Sequence, residues 1–167
     1  DLLFSSVDTS NFNGFGVTCN GLTDGWINLT VIDGVFPYTY SWTGSTTSTS
    51  QDLSTLSAGT YSVTVTDLNQ CTTSETVVIT EPNVFVGGQL SVSQTICNDG
   101  VLDSIITILS PEGGNPPYTF DWEVNNGSGF VSLSNNNLNW FFPPVTLDTI
   151  VYKIIYSDFY QCNTFVD

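Results

Sequence analysis

Histidine, arginine and methionine are absent from the 167 residues, and Lys153 is the single basic side chain. Without histidine there is no Ser-His-Asp or Cys-His relay, and the usual mixed-ligand zinc sites are out of reach. One cation against 16 acidic side chains gives a formal net charge of −15 at pH 7. Such a surface repels phosphate and anionic headgroups, so neither nucleic acid nor membrane insertion is expected. No apolar run is long enough to span a bilayer. Charged residues of either sign make up only 10% of the chain, and the acids fall singly in turns. A glycosidase needs two carboxylates facing each other across a cleft. No such pattern is visible, and no enzyme is expected. The chain opens on Asp1 with neither an initiating Met nor a leader, and reads as a segment of a larger exported protein.

Apolar residues make up 40% and aromatics 13%, ample for packed cores despite the acidity. These residues recur as one skeleton, present twice. The first copy runs Cys19, Pro37-Tyr38-Thr39-Tyr40-Ser41-Trp42, Tyr61 to Asp67, then Gln70-Cys71. The second runs Cys97, Pro117-Tyr118-Thr119-Phe120-Asp121-Trp122, Tyr152 to Asp158, then Gln161-Cys162. An internal repeat of this length predicts tandem domains, here residues 1–82 and 83–167.

Within each copy the pattern is that of strands. Ile27 to Val31, Tyr61 to Thr66 and Leu90 to Ser93 alternate apolar and polar with period two. Asp24-Gly25, Asp33-Gly34, Ala58-Gly59 and Glu112-Gly113-Gly114-Asn115 supply turn chemistry between the runs. No stretch keeps a 3.6-residue period. Short strands divided by turns predict an all-β chain of two β-sandwiches. The copies differ most between the Trp and the following Tyr: 19 residues from Trp42 to Tyr61 but 30 from Trp122 to Tyr152. A longer mid-domain loop is expected there, within residues 123–149.

The motifs each carry two readings. Two cysteines per copy, in a chain that reads as exported, predict disulfides Cys19–Cys71 and Cys97–Cys162, worth roughly 4 kcal/mol each in the chain-entropy model. Free thiols and a metal site are the alternatives. Tyr38, Tyr40 and Trp42 share one face of a strand; that row would suit sugar stacking, but in a sandwich it belongs to the core. Tyr61, opening a strand after a Gly turn, fits a tyrosine whose hydroxyl bonds back to loop backbone. No cofactor is expected, with calcium at Asp24, Asp67 and Asn69 as the candidate exception, since such oxygens also serve ordinary turns. Trp26 is out of phase with the apolar face of its strand, and Trp140, Phe141 and Phe142 cannot share one face. These four are the candidate ligand contacts.

The string Cys19-Asn20-Gly21, Asp24-Gly25, Pro37 to Trp42, Leu53-x-x-Leu56-x-Ala58-Gly59-Thr60-Tyr61-x-Val63-x-Val65-x-Asp67, Cys71 and Thr80-Glu81-Pro82 resembles the SprB-type repeat. That repeat belongs to very large gliding-motility adhesins and other surface proteins of Bacteroidetes. The likeness covers residues 17–82 and returns in residues 83–167 through Cys97, the Pro-Tyr-Thr-x-x-Trp strand and the Asp-x-x-Gln-Cys ending. The second copy lacks the Ala-Gly-Thr-Tyr turn and is a divergent member. The resemblance implies immunoglobulin-like or PKD-like sandwiches, an extracellular place at the bacterial surface, and arrays of repeats. It brings no catalytic residues. The expected function is a rigid, acidic, disulfide-stapled spacer whose partners are neighbouring repeats of the same chain. The alternative is a carbohydrate-binding module that meets surface polysaccharide or a substratum through exposed aromatics.

Overall fold

Alternation of hydroxyl and apolar side chains, as in Gly59–Thr66, suits antiparallel ladders with one face buried. A computed structural model of the chain describes residues 2–88, 90–96, 102–108, 111–125, 130–133, 139–142 and 151–166, and among these every regular element is a strand. The chain divides into two compact units, Asp1–Pro82 and Asn83–Asp167.

The first unit contains β1 (Leu2–Thr9), β2 (Gly25–Asp33), β3 (Thr39–Gly44), β4 (Leu53–Leu56), β5 (Gly59–Thr66) and β6 (Thr72–Ile79). They form two antiparallel sheets, ordered β1-β2-β4 and β3-β5-β6. Ile27 and Leu29 from β2, with Leu53 and Leu56 from β4, meet Trp42, Tyr61, Val63, Val65, Val77 and Ile79 of the other sheet in one buried cluster. Each aliphatic side chain withdrawn from water in this way contributes about 1.5–3 kcal/mol. The intervening residues stay outside and pair across the ladder: Ser62 Oγ lies 3.0 Å from Thr76 Oγ1, and Thr64 Oγ1 lies 3.1 Å from Ser74 Oγ.

The second unit contains β7 (Leu90–Ile96), β8 (Leu102–Ile108), β9 (Thr119–Asn125), β10 (Phe130–Ser132), β11 (Asn139–Phe142), β12 (Val151–Ser157) and β13 (Asn163–Val166). Its sheets are ordered β11-β8-β7 and β10-β9-β12-β13. Trp122, Ile154 and Tyr156 are its described core, with Phe85, Phe120, Leu133 and Tyr152 packed against them. Registers repeat between copies. Trp42 pairs with Val63 and Trp122 with Ile154, each two residues beyond the strand-opening tyrosine.

One expectation needs correcting here. The longer stretch of the second copy is not simply loop: β9 runs on to Asn125, β10 folds back along it, and β11 pairs with β8 as β4 pairs with β2. The exposed strand Phe130-Val131-Ser132 extends a hairpin where the described residues of the first copy have the bridge between Trp42 and Ser48. The opening Val84-Phe85-Val86 is not a strand like its counterpart Leu2–Phe4. Val86 makes one bridge, to Glu112, while Val84 and Val86 stay exposed and Phe85 stacks on Tyr118 at 5.5 Å.

Candidate functional site

The repeated landmarks are held by backbone bonds of their own unit. Trp42 is 1% exposed and its indole N–H donates to Ser50 O at 2.8 Å. Tyr61, equally buried, donates to Ser57 O at 2.8 Å, the bond back to loop backbone that its place after a Gly turn predicts. Tyr38 donates to Asp33 O at 2.7 Å, and its counterpart Tyr118 donates to Gly113 O at 2.8 Å. At Gly44, the last residue of β3, φ is +99° and a Cβ would collide with Thr60 O, so the close approach of the two strands requires glycine.

The Asp-x-x-Gln-Cys hairpins are the most closely matched elements of the two copies. Asp67 is 4% exposed; its carboxylate accepts from Cys71 N at 2.8 Å and Val35 N at 3.0 Å. Asp158 is 1% exposed and accepts from Cys162 N at 2.9 Å, Tyr160 N at 3.0 Å and Asn115 N at 2.7 Å. Gln70 and Gln161 both adopt φ near 64°. Each carboxylate closes its hairpin and clamps it to the loop that precedes the Pro-Tyr-Thr strand. Burial works to raise the Asp67 pKa, but the N–H groups of Cys71, Val35 and Asn69 outweigh it and hold the carboxyl below its ordinary 3.8.

These bonds bear on the calcium candidates. Asp67 already spends its oxygens on backbone donors. Asp24 accepts from Thr18 N at 3.1 Å, in the segment that reaches Thr80 and Pro82 at the far end of β6. Asp24 therefore stands at the opposite end of the unit from Asp67 and Asn69, and the three do not form one site. Among the described residues no group of three or more His, Cys, Asp or Glu is placed to hold a metal ion.

The cysteines differ from expectation. Cys71 is a free, exposed thiol, whereas Cys19 and Cys162 are each disulfide-bonded. The expected Cys19–Cys71 disulfide is absent, and strand geometry gives the reason. Cys71 precedes β6, while Cys19 adjoins Asn20, whose side-chain amide donates to Pro82 O at 3.0 Å beyond that strand's other end. Eight residues of strand at about 3.4 Å each separate the two, far beyond the roughly 7 Å between Cα atoms that a disulfide tolerates. Cys97 lies outside the described residues, and so the Cys97–Cys162 pairing does too.

Among the aromatic candidates, Trp26 is half-buried on the face of β2 opposite Ile27 and Leu29, beside a register shift against β4. Trp140, Phe141 and Phe142 pair with Ile106, Ile105 and Ser104 in β11, and their side chains lie outside the described residues. A different aromatic cluster emerges. From Trp42 the row passes through half-buried Tyr40 and Tyr38 to Phe36, which is 77% exposed and meets Tyr38 edge-on at 6.0 Å. With Thr30, Val31 and Gln51 these three rings line a groove of about 280 Å³. Burial first, then the neighbouring Asp52 carboxylate, raises the Tyr40 pKa. The signal for Phe36 was present in the sequence, since Val35-Phe36 stands in a turn between Asp33-Gly34 and Pro37, where no strand can turn it inward. A larger cleft of about 410 Å³ is lined chiefly by hydroxyls, among them Ser45, Thr46, Thr47 and Thr55, with Asp52.

Comparison with known proteins adds one finding. Residues 17–47 match the family model of the SprB repeat. The matched segment holds Cys19, β2 and the Pro-Tyr-Thr-x-x-Trp strand. SprB repeats belong to cell-surface proteins and are structural repeats, not a known enzyme family. No curated protein and no solved structure matches the chain. Among the described residues no helix is long and apolar enough to cross a membrane.

Proposed function

We propose that the chain is a non-enzymatic spacer segment of a large bacterial cell-surface adhesin of the gliding-motility kind, built from immunoglobulin-like, PKD-like sandwich repeats and needing no cofactor. The observation that carries this reading is the fate of the repeated landmarks. Trp42 and Tyr61 lie in the core, and Tyr38, Tyr118, Asp67 and Asp158 spend their polar atoms on backbone of their own unit. A duplicated ligand site would turn such residues toward solvent. A duplicated scaffold turns them inward, and its high negative charge keeps neighbouring chains soluble and apart. Glycan-array and polysaccharide pull-down assays on the intact, folded chain test the reading. The expected result is no saturable binding.

One observation favours a second reading, a carbohydrate-binding module. The groove of Phe36, Tyr38 and Tyr40 offers ring faces together with the hydroxyl of Thr30 and the amide of Gln51. Saturable glycan binding lost in Phe36→Ala and Gln51→Ala, with folding intact, would replace the spacer reading with this one.

A further inference from the structure

Each unit has an incoming end, where its chain arrives. In the first unit β1 begins with Leu2 paired to Asp33, beside the β5–β6 hairpin, and the chain leaves past Thr80–Pro82 at the opposite end. The incoming end is unusually apolar for so acidic a chain. Phe36 is 77% exposed, Leu68 57%, Ile32 44% and Val35 42%, and Leu68 N–H donates to Val35 O at 2.9 Å, which binds two of them together. The free thiol of Cys71 closes the same hairpin.

The second unit provides the comparison. Asn115 occupies the place of Val35, since its N–H binds the hairpin aspartate and its carbonyl accepts from Phe159 N at 2.8 Å. There the place is 0% exposed, and Cys162, the counterpart of Cys71, is disulfide-bonded. The loop position beside the hairpin is thus buried and the hairpin cysteine bonded in one copy, exposed and free in the other, while Phe159, the counterpart of Leu68, is 57% exposed just as Leu68 is.

We propose that the Phe36–Leu68–Cys71 end of the first unit is a docking face for the outgoing end of a preceding like repeat, fastened by a disulfide between Cys71 and a cysteine at that repeat's Cys19 position. Two observations select this occupant. Any polypeptide ahead of residue 1 reaches the unit at this end, and Cys19, at the outgoing end beside Pro82, is a position that carries a disulfide. Apolar burial seats the contact and the covalent bond fixes its register. The bond forms by exchange with a disulfide oxidant, such as oxidised glutathione. The two cysteines each give up one proton and one electron, their sulfurs join, and the oxidant is reduced to two thiols.

This proposal rests on the spacer reading, but its failure would leave the absence of glycan binding untouched. The test places a second copy of residues 1–82, carrying Cys71→Ser, ahead of the intact chain, which is then folded with oxidised glutathione. In the intact chain alone, maleimide should label Cys71 fully. In the fusion its labelling should fall at least about tenfold, and Cys19→Ser in the added copy should restore it. Full labelling of Cys71 in a fusion whose added copy is folded, judged by amide-exchange protection, would overturn the proposal. Disulfide mapping of the protein taken unreduced from its own cells needs no fusion. A Cys71 peptide joined to a cysteine from upstream supports the docking, and Cys71 recovered as a free thiol overturns it.

Discussion

The hairpins Thr66–Thr72 and Ser157–Asn163 follow the same plan nearly bond for bond. In both, the aspartate N–H donates to the cysteine carbonyl, at 3.0 Å for Asp67 and 3.1 Å for Asp158, and the Gln N–H donates to the aspartate carbonyl at 3.0 Å. Both carboxylates accept the cysteine N–H and an N–H from the loop before the Pro-Tyr-Thr strand. Yet Cys71 is free and exposed while Cys162 is disulfide-bonded. The backbone of the hairpin thus presents the sulfur but does not decide its state. The surroundings of the hairpin differ between the copies, with Val35 exposed in one and Asn115 fully buried in the other.

The sharpest way to break the likeness of the two copies is to empty their cores. Trp42→Ala and Trp122→Ala each remove a side chain 1% exposed and should cost about 3–5 kcal/mol, read as lost amide-exchange protection in β5 and β12 respectively. If either strand keeps its protection, that tryptophan is not the centre of its core. Less is expected of the tyrosine bonds. Tyr38→Phe and Tyr118→Phe each delete a hydroxyl donated to a carbonyl five residues upstream and should cost about 0.5–1.5 kcal/mol, by similar amounts, in denaturant titrations. A large inequality would show that the shared geometry hides different surroundings.

Acid sharpens the comparison at the hairpin. The Asp67 carboxyl is held below 3.8 in the folded unit, so on acidification the unfolded chain takes up its proton first. The stability that Asp67 supplies is present above the ordinary carboxylate pKa, declines as pH falls through it, and is gone below the folded value. Asp67→Asn should flatten that decline in the melting temperature of the first unit between about pH 5 and pH 2. An unchanged slope would mean that other carboxyls govern it. The smallest effect belongs to the incoming end: Phe36→Ala, at an exposed ring, should change stability by less than about 0.5 kcal/mol.

Much of the scaffold was legible because its rules are local. Period-two alternation placed Tyr61, Val63 and Val65 inward, the Gly turn before Tyr61 implied the bond to Ser57, and phase alone set Trp26 apart from Ile27. The sulfur pairing was not legible. Matching cysteines by their order in each copy ignores that β6 carries the chain from one end of the unit to the other, which separates Cys19 from Cys71. The calcium candidates are not brought together for the same reason, since Asp24 and Asp67 sit at opposite ends. Strand periodicity carries no signal for Phe36, an apolar residue in a turn, although that position leaves it no core to enter.

The measurement that bears most directly on this account is disulfide mapping of the intact chain, alkylated before any reduction and digested for mass spectrometry. The account predicts Cys71 recovered alkylated, with Cys19 and Cys162 each recovered in a disulfide. A peptide pair linking Cys19 to Cys71 would contradict it, because the two cysteines could then not lie at opposite ends of β6.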